Sequence, residues 1–224
     1  MKSILIALAL AASTVTAVAQ ASSSSEPTRS HALAEFPPKD GAHLSVSSPA
    51  FADGGDIPFE NTQYRGNVFP GLSWSAGPQG TQSYVVIMQD PDAHMNGAPI
   101  LHWTLYDIPA GVLKLDPAMP ATGNPQGSHY GPNARGAAQP YLGPHTPPGA
   151  KHHYHLQVFA LDNSIPENDT MTYDMLTEEM RGHILASGEV VGLGQADPSA
   201  TPMMPNQPVS APAPSPRPAK RGSR

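Results

Sequence analysis

The chain has 224 residues, 39% hydrophobic and 13% charged, with 27 Pro, 20 Gly, 10 His and no Cys. That length suits one domain with a sizeable core, and the missing cysteine excludes a disulfide scaffold, a thiolate nucleophile, a Cys-ligated metal cluster and a Cys-anchored lipid. A formal net charge of −6 argues against the clustered Lys and Arg surface that holds nucleic acid.

Residues 1–21 open with Lys2, continue through an apolar run from Ile4 to Ala12, and end in Ala17-Val18-Ala19 or Ala19-Gln20-Ala21. This order predicts a cleaved secretory signal peptide and a periplasmic or secreted product. No later stretch approaches the roughly 20 consecutive apolar residues of a transmembrane helix, so none is expected in the exported chain. Residues 22–40 are polar and Pro-interrupted and read as a flexible leader, followed by a folded domain over 41–197.

Within that domain, residues 44–48, 71–74, 83–89, 101–107 and 154–161 are rich in Val, Ile, Leu, Tyr and Trp and are bounded by Pro and Gly clusters. These are strand signals. Residues 114–140 show no apolar period and should be irregular, and by loop-length priors either functional or mobile. One helical spacing, Leu176, Met180 and Ile184, predicts a late helix ending at Gly188. Residues 198–224 alternate Pro with Ala, Ser, Thr and Met and finish on Arg217, Lys220, Arg221 and Arg224, a composition that predicts a disordered basic tail. The pattern favours an antiparallel all-β sandwich or barrel with one helix.

Two clusters hold most of the suggestive polar residues: Asp90-Pro91-Asp92-Ala93-His94 with His102-Trp103 after it, and Tyr141-Leu142-Gly143-Pro144-His145-Thr146-Pro147-Pro148-Gly149 leading into His152-His153-Tyr154-His155. Imidazole, phenol and backbone N–H groups beside glycine are donors to phosphate oxygens. A carboxylate at Asp90 repels a phosphate, so its expected role is to orient a histidine or meet a ligand ammonium, which favours a zwitterionic head group. A carboxylate beside a histidine also predicts a raised histidine pKa, with anion binding strengthening from above pH 7 downward. Simpler roles compete: Asp90 and Asp92 as turn residues around Pro91, His102 as a strand histidine, Trp74 and Trp103 as core, and His153 solvated on the strand face opposite its neighbours.

The spacing of these motifs resembles the phosphatidylethanolamine-binding proteins, in the bacterial group often labelled Raf-kinase-inhibitor-like. The resemblance rests on Asp90-Pro91-Asp92-Ala93, His102-Trp103 with Ile108-Pro109, Tyr141-x-Gly143-Pro144-x-x-Pro147-x-Gly149-x-x-His152-x-Tyr154, and Ala160-Leu161-Asp162. Asn67-x-x-Pro70-x-Leu72-x-Trp74 and Gly182-His183-Ile184-Leu185 add to it. It implies an antiparallel Greek-key β-sandwich with a short C-terminal helix, and one pocket lined by Asp90, Asp92, His102, Gly143, His152 and Tyr154 that takes a small anionic or zwitterionic ligand such as a phospholipid head group. His153 stands where the family usually has Arg, and Thr146 where it has a second Pro. The family name adds a regulatory or inhibitory role, with no protein partner legible in the sequence. No cofactor is indicated, and the hydrolase, P-loop and dinucleotide templates are missing, so a binding protein is expected. The competing reading is an enzyme using His and Asp, or a metal held by them, in the same pocket.

Overall fold

A computed structural model describes residues 29–120 and 122–200. The expected signal segment and the tail beyond residue 200 lie outside them. The elements are α1 (Ala32–Glu35), β1 (Val46–Ser47), β2 (Gly55–Asp56), β3 (Leu72–Trp74), β4 (Ser83–Met95), β5 (Ala98–Pro109), β6 (Lys114–Leu115), β7 (His129–Tyr130), β8 (His152–Leu161), α2 (Tyr173–Met180) and β9 (Ile184–Gly194). They build a six-stranded sheet in the order β2-β9-β8-β4-β5-β7 and a three-stranded sheet in the order β1-β3-β6. Among the described strand pairs only β2–β9 is parallel. The run β8-β4-β5-β7 has the 4-1-2-3 order of a Greek key, in which a late strand returns beside the first.

The residue pattern explains the layering. Along β8, Tyr154, Leu156, Val158 and Ala160 enter the core between the two sheets, with Leu72, Trp74 and Leu115 opposite. The alternate residues Phe159 and Leu161 enter a second core covered by Ala32, Phe36, Leu176 and Met180 from the helices. Burial on both faces is why the five residues from Tyr84 to Met88 form an unbroken apolar run instead of alternating.

Four expectations need correction. Part of the leader is packed: Ala32 and Phe36, four residues apart and so on one helical face, are buried. The Ala32 and Leu33 N–H groups donate to Gln89 Oε1 at 2.7 Å and Gln157 Oε1 at 2.6 Å. Two anchors are too few to register as a period. At the other end, Asp197 accepts from Arg65 at 2.6 Å and from Ser199, which ties the chain down slightly past the expected boundary. The late helix stops at Met180, because Gly182 takes a left-handed φ of 79° and Ile184 already opens β9. Gly188 lies inside that strand, where an added Cβ would collide with the Leu44 carbonyl of the segment crossing it. Finally, the stretch 114–140 carries β6 and β7, one short strand for each sheet.

The α2 helix begins at Thr172, whose side chain accepts the Met175 N–H at 3.2 Å. We expect Thr172→Ala to lower unfolding free energy by about 1 kcal/mol in a denaturant titration, the usual loss for an N-cap oxygen. An unchanged midpoint would show that burial of Leu176 and Met180 holds the helix without its cap.

Candidate functional site

Two irregularities between β4 and β5 shape the site. Asp90 pairs with Ile100 and His94 with Pro99, so residues 91–93 form a bulge of three residues on β4. Such insertions re-aim side chains at sheet rims. Here the bulge folds back on Asp90, whose Oδ1 accepts the Asp92 N–H at 2.9 Å and the Ala93 N–H at 3.2 Å. The second irregularity skips His102, since Met88 pairs with Trp103 and Gln89 with Leu101. His102 and Trp103, adjacent in sequence, consequently both meet the inter-sheet side: Trp103 joins its core, and the His102 ring sits edge-on to Tyr154 with centroids 5.0 Å apart.

A cavity of about 470 Å³ opens at this end of the sandwich, within the range of small-molecule sites. Asp90, His102, His152 and Tyr154 line it, together with Gln63, Ala93, Ile100, Leu142, His145 and Pro147. His152 Nδ1–H donates to Asp90 Oδ2 at 2.8 Å. The buried Asp90 carboxylate thus satisfies both the bulge backbone and the histidine, combining the turn role with the orienting role. His102 Nδ1–H donates to the Leu142 carbonyl at 2.9 Å. In both rings Nδ1 is committed, so Nε2 is the nitrogen left to a ligand. Burial lowers the His102 pKa below its usual 6.5, outweighing the Leu142 carbonyl and the nearby Asp90 that favour the cation. For this ring the expectation of a raised pKa is corrected: desolvation outweighs the carboxylate. Tyr154 shares a hydrogen bond with Thr146 Oγ1 at 2.8 Å, and burial keeps its phenol protonated far above the ordinary range.

Asp92 and Gly143 do not line the cavity. Asp92 Oδ2 accepts the His153 backbone N–H at 2.6 Å and Nδ1–H at 2.8 Å, forming an exposed pair at the mouth. Burial alone would raise the Asp92 pKa, but these two His153 donors hold it below the usual carboxylate value. Gly143 is a packing glycine: an added Cβ would lie 2.4 Å from the Asn61 carbonyl oxygen. Its N–H donates to Asn67 Oδ1 at 2.7 Å while Asn67 Nδ2 donates to the Tyr141 carbonyl at 2.9 Å, so Asn67 clamps the loop that supplies Leu142.

Beyond the expected set, two more polar residues line the cavity, His145 and Gln63. His145 stacks on Tyr64 with centroids 4.6 Å apart. Gln63 donates to the Gly143 carbonyl at 2.7 Å and accepts from Arg135 at 2.9 Å, which brings a guanidinium to the rim. His145 lies within the quoted loop motif, but nothing in the sequence ties Gln63 or Arg135 to it.

Comparison with known proteins gives a consistent picture. A family model described as phosphatidylethanolamine-binding protein matches residues 47–195. The chain is 34% identical to the UPF0098 protein of Aquifex aeolicus over 159 residues, covering 70% of this chain and 91% of that one. It is 37% identical over 120 residues to LppC, a candidate lipoprotein of Mycobacterium tuberculosis, covering 53% of this chain and 55% of that one. Among solved structures it resembles E. coli YbcL, described as a new member of the mammalian PEBP family, with TM-score 0.63 at 28% identity over 70% of this chain and all of the other. Among the described residues, no helix is long and apolar enough to cross a membrane.

Proposed function

The chain belongs to the phosphatidylethanolamine-binding protein family, and from that premise we propose that it is an exported binding protein whose cavity takes phosphate or a phosphorylated head group of the phosphoethanolamine kind. One observation carries this reading: two cavity histidines, His102 and His152, each have Nδ1 held by a protein acceptor and offer Nε2 to a ligand beside a protonated Tyr154. A neutral imidazole so pinned presents a lone pair, and becomes a charged donor only by taking up a proton. An anion is therefore held either with proton uptake by His102, which burial keeps neutral, or through a proton the ligand itself brings, as a phosphate monoanion or an ammonium does. Ile100, Leu142 and Pro147 supply apolar wall, which suits an organic phosphate over a bare ion. Export follows from the signal-like segment 1–21.

Calorimetric titration with inorganic phosphate, phosphoethanolamine and ethanolamine tests the ligand class. Phosphoethanolamine is expected to bind most tightly, phosphate more weakly and ethanolamine not at all. Binding of ethanolamine alone, or of none of the three, would overturn the reading.

A further inference from the structure

β8 carries a second histidine cluster, on the sheet face turned away from the cavity. Tyr154 and Leu156 point into the inter-sheet core, whereas Phe159 and Leu161 join the core beneath the helices. His155 shares this second face by alternation. It stacks on His31 at the start of α1, with ring centroids 4.5 Å apart and planes 28° from parallel. Its Nδ1 lies 2.9 Å from Glu189 Oε2 on β9. One nitrogen of each ring and one Glu189 oxygen all lie within 4.8 Å of one another, and all three residues are half-buried.

Two imidazoles and a carboxylate make a borderline N₂O donor set, which suits divalent transition metals and disfavours Ca²⁺ or Mg²⁺. Bonds of about 2.0–2.2 Å to a tetrahedral zinc place donor atoms roughly 3.3–3.5 Å apart. To close the remaining gap the two rings must turn out of their stack and the His155–Glu189 hydrogen bond must give way to the metal. We propose that His31, His155 and Glu189 form a divalent transition-metal site that clips the N-terminal segment onto the large sheet. The three ligands come from three separate elements, so occupancy ties the stretch before α1 to β8 and β9. It reinforces the two backbone bonds from Ala32 and Leu33 to Gln89 and Gln157. An open fourth position is left for water.

The test uses the chain purified without an affinity tag and stripped with chelator, with zinc chloride as the probe. Native mass spectrometry should show one zinc per chain, and zinc should raise Tm where equal calcium does not. His155→Ala and Glu189→Gln should weaken zinc binding at least tenfold and abolish the Tm shift. His152→Ala, in the cavity on the other sheet face, should leave both intact. His31→Ala lies outside both sheets and gives the same readout if the strand variants fold poorly. Absence of zinc uptake by the parent chain, uptake unchanged in His31→Ala, or loss in His152→Ala instead would overturn the proposal.

Discussion

Trp103→Ala should destabilise the protein by about 3–5 kcal/mol, the range for removing a large aromatic from a packed core. Trp103 is fully buried and contacts Phe69 at 4.8 Å, Tyr141 at 6.1 Å and Tyr130 at 6.4 Å between ring centroids. These neighbours come from the β3 approach, the 141–149 loop and β7, so the cavity left by alanine cannot collapse without moving several elements. For a domain of this size the loss corresponds to a fall in Tm of roughly 6–20 °C. Equal stability with loss of ligand binding would instead make Trp103 a binding platform.

His152→Ala should weaken phosphate binding by roughly 10- to 100-fold, the range for a hydrogen bond to a charged group. The variant also strips Asp90 of one partner, but the Asp92 and Ala93 N–H groups remain on its other oxygen, so the bulge is expected to persist. His153→Ala is the matched control. Its ring is exposed and engaged with Asp92 at the mouth, so binding should change less than threefold. Titration calorimetry on both variants decides between them, and equal losses would reject the assignment of the cavity to His152.

Much of the sandwich was legible because its signals are local. Pro and Gly clusters bracket the strands, and the motif order from Asp90 to Tyr154 anticipates four side chains that line one cavity. What escaped depends on pairing partners. The Asp-Pro-Asp stretch reads as the end of a strand, yet β4 continues through a bulge to Met95 and turns at Asn96-Gly97, both with positive φ. That dipeptide is a strong hairpin signal and was readable. The skipped pairing at His102 was not, since a bulge is defined by the opposite strand. Nor could spacing distinguish a glycine that admits a ligand from one that admits the Asn61 backbone, as Gly143 does. The packed leader depends on Gln89 and Gln157, far away in sequence and silent as motifs.

The central claim is that the buried, neutral His102 takes up a proton to hold an anion, and sulfate tests it most directly because its charge does not change between about pH 5.5 and pH 8. The His102 pKa lies below 6.5 in the unliganded protein, so the folded state favours the neutral ring. Its contribution to stability is complete above 6.5 and is lost as pH falls toward the folded-state pKa. Anion affinity runs the other way, rising roughly tenfold per pH unit as the required proton becomes easier to supply, until that pKa is reached. Isothermal titration of sulfate at about pH 5.5 and pH 8, each in two buffers of different ionisation heat, should therefore show at least tenfold tighter binding at the lower pH and proton uptake on binding at the higher one. Affinity equal at the two pH values, with no proton taken up, would contradict the account.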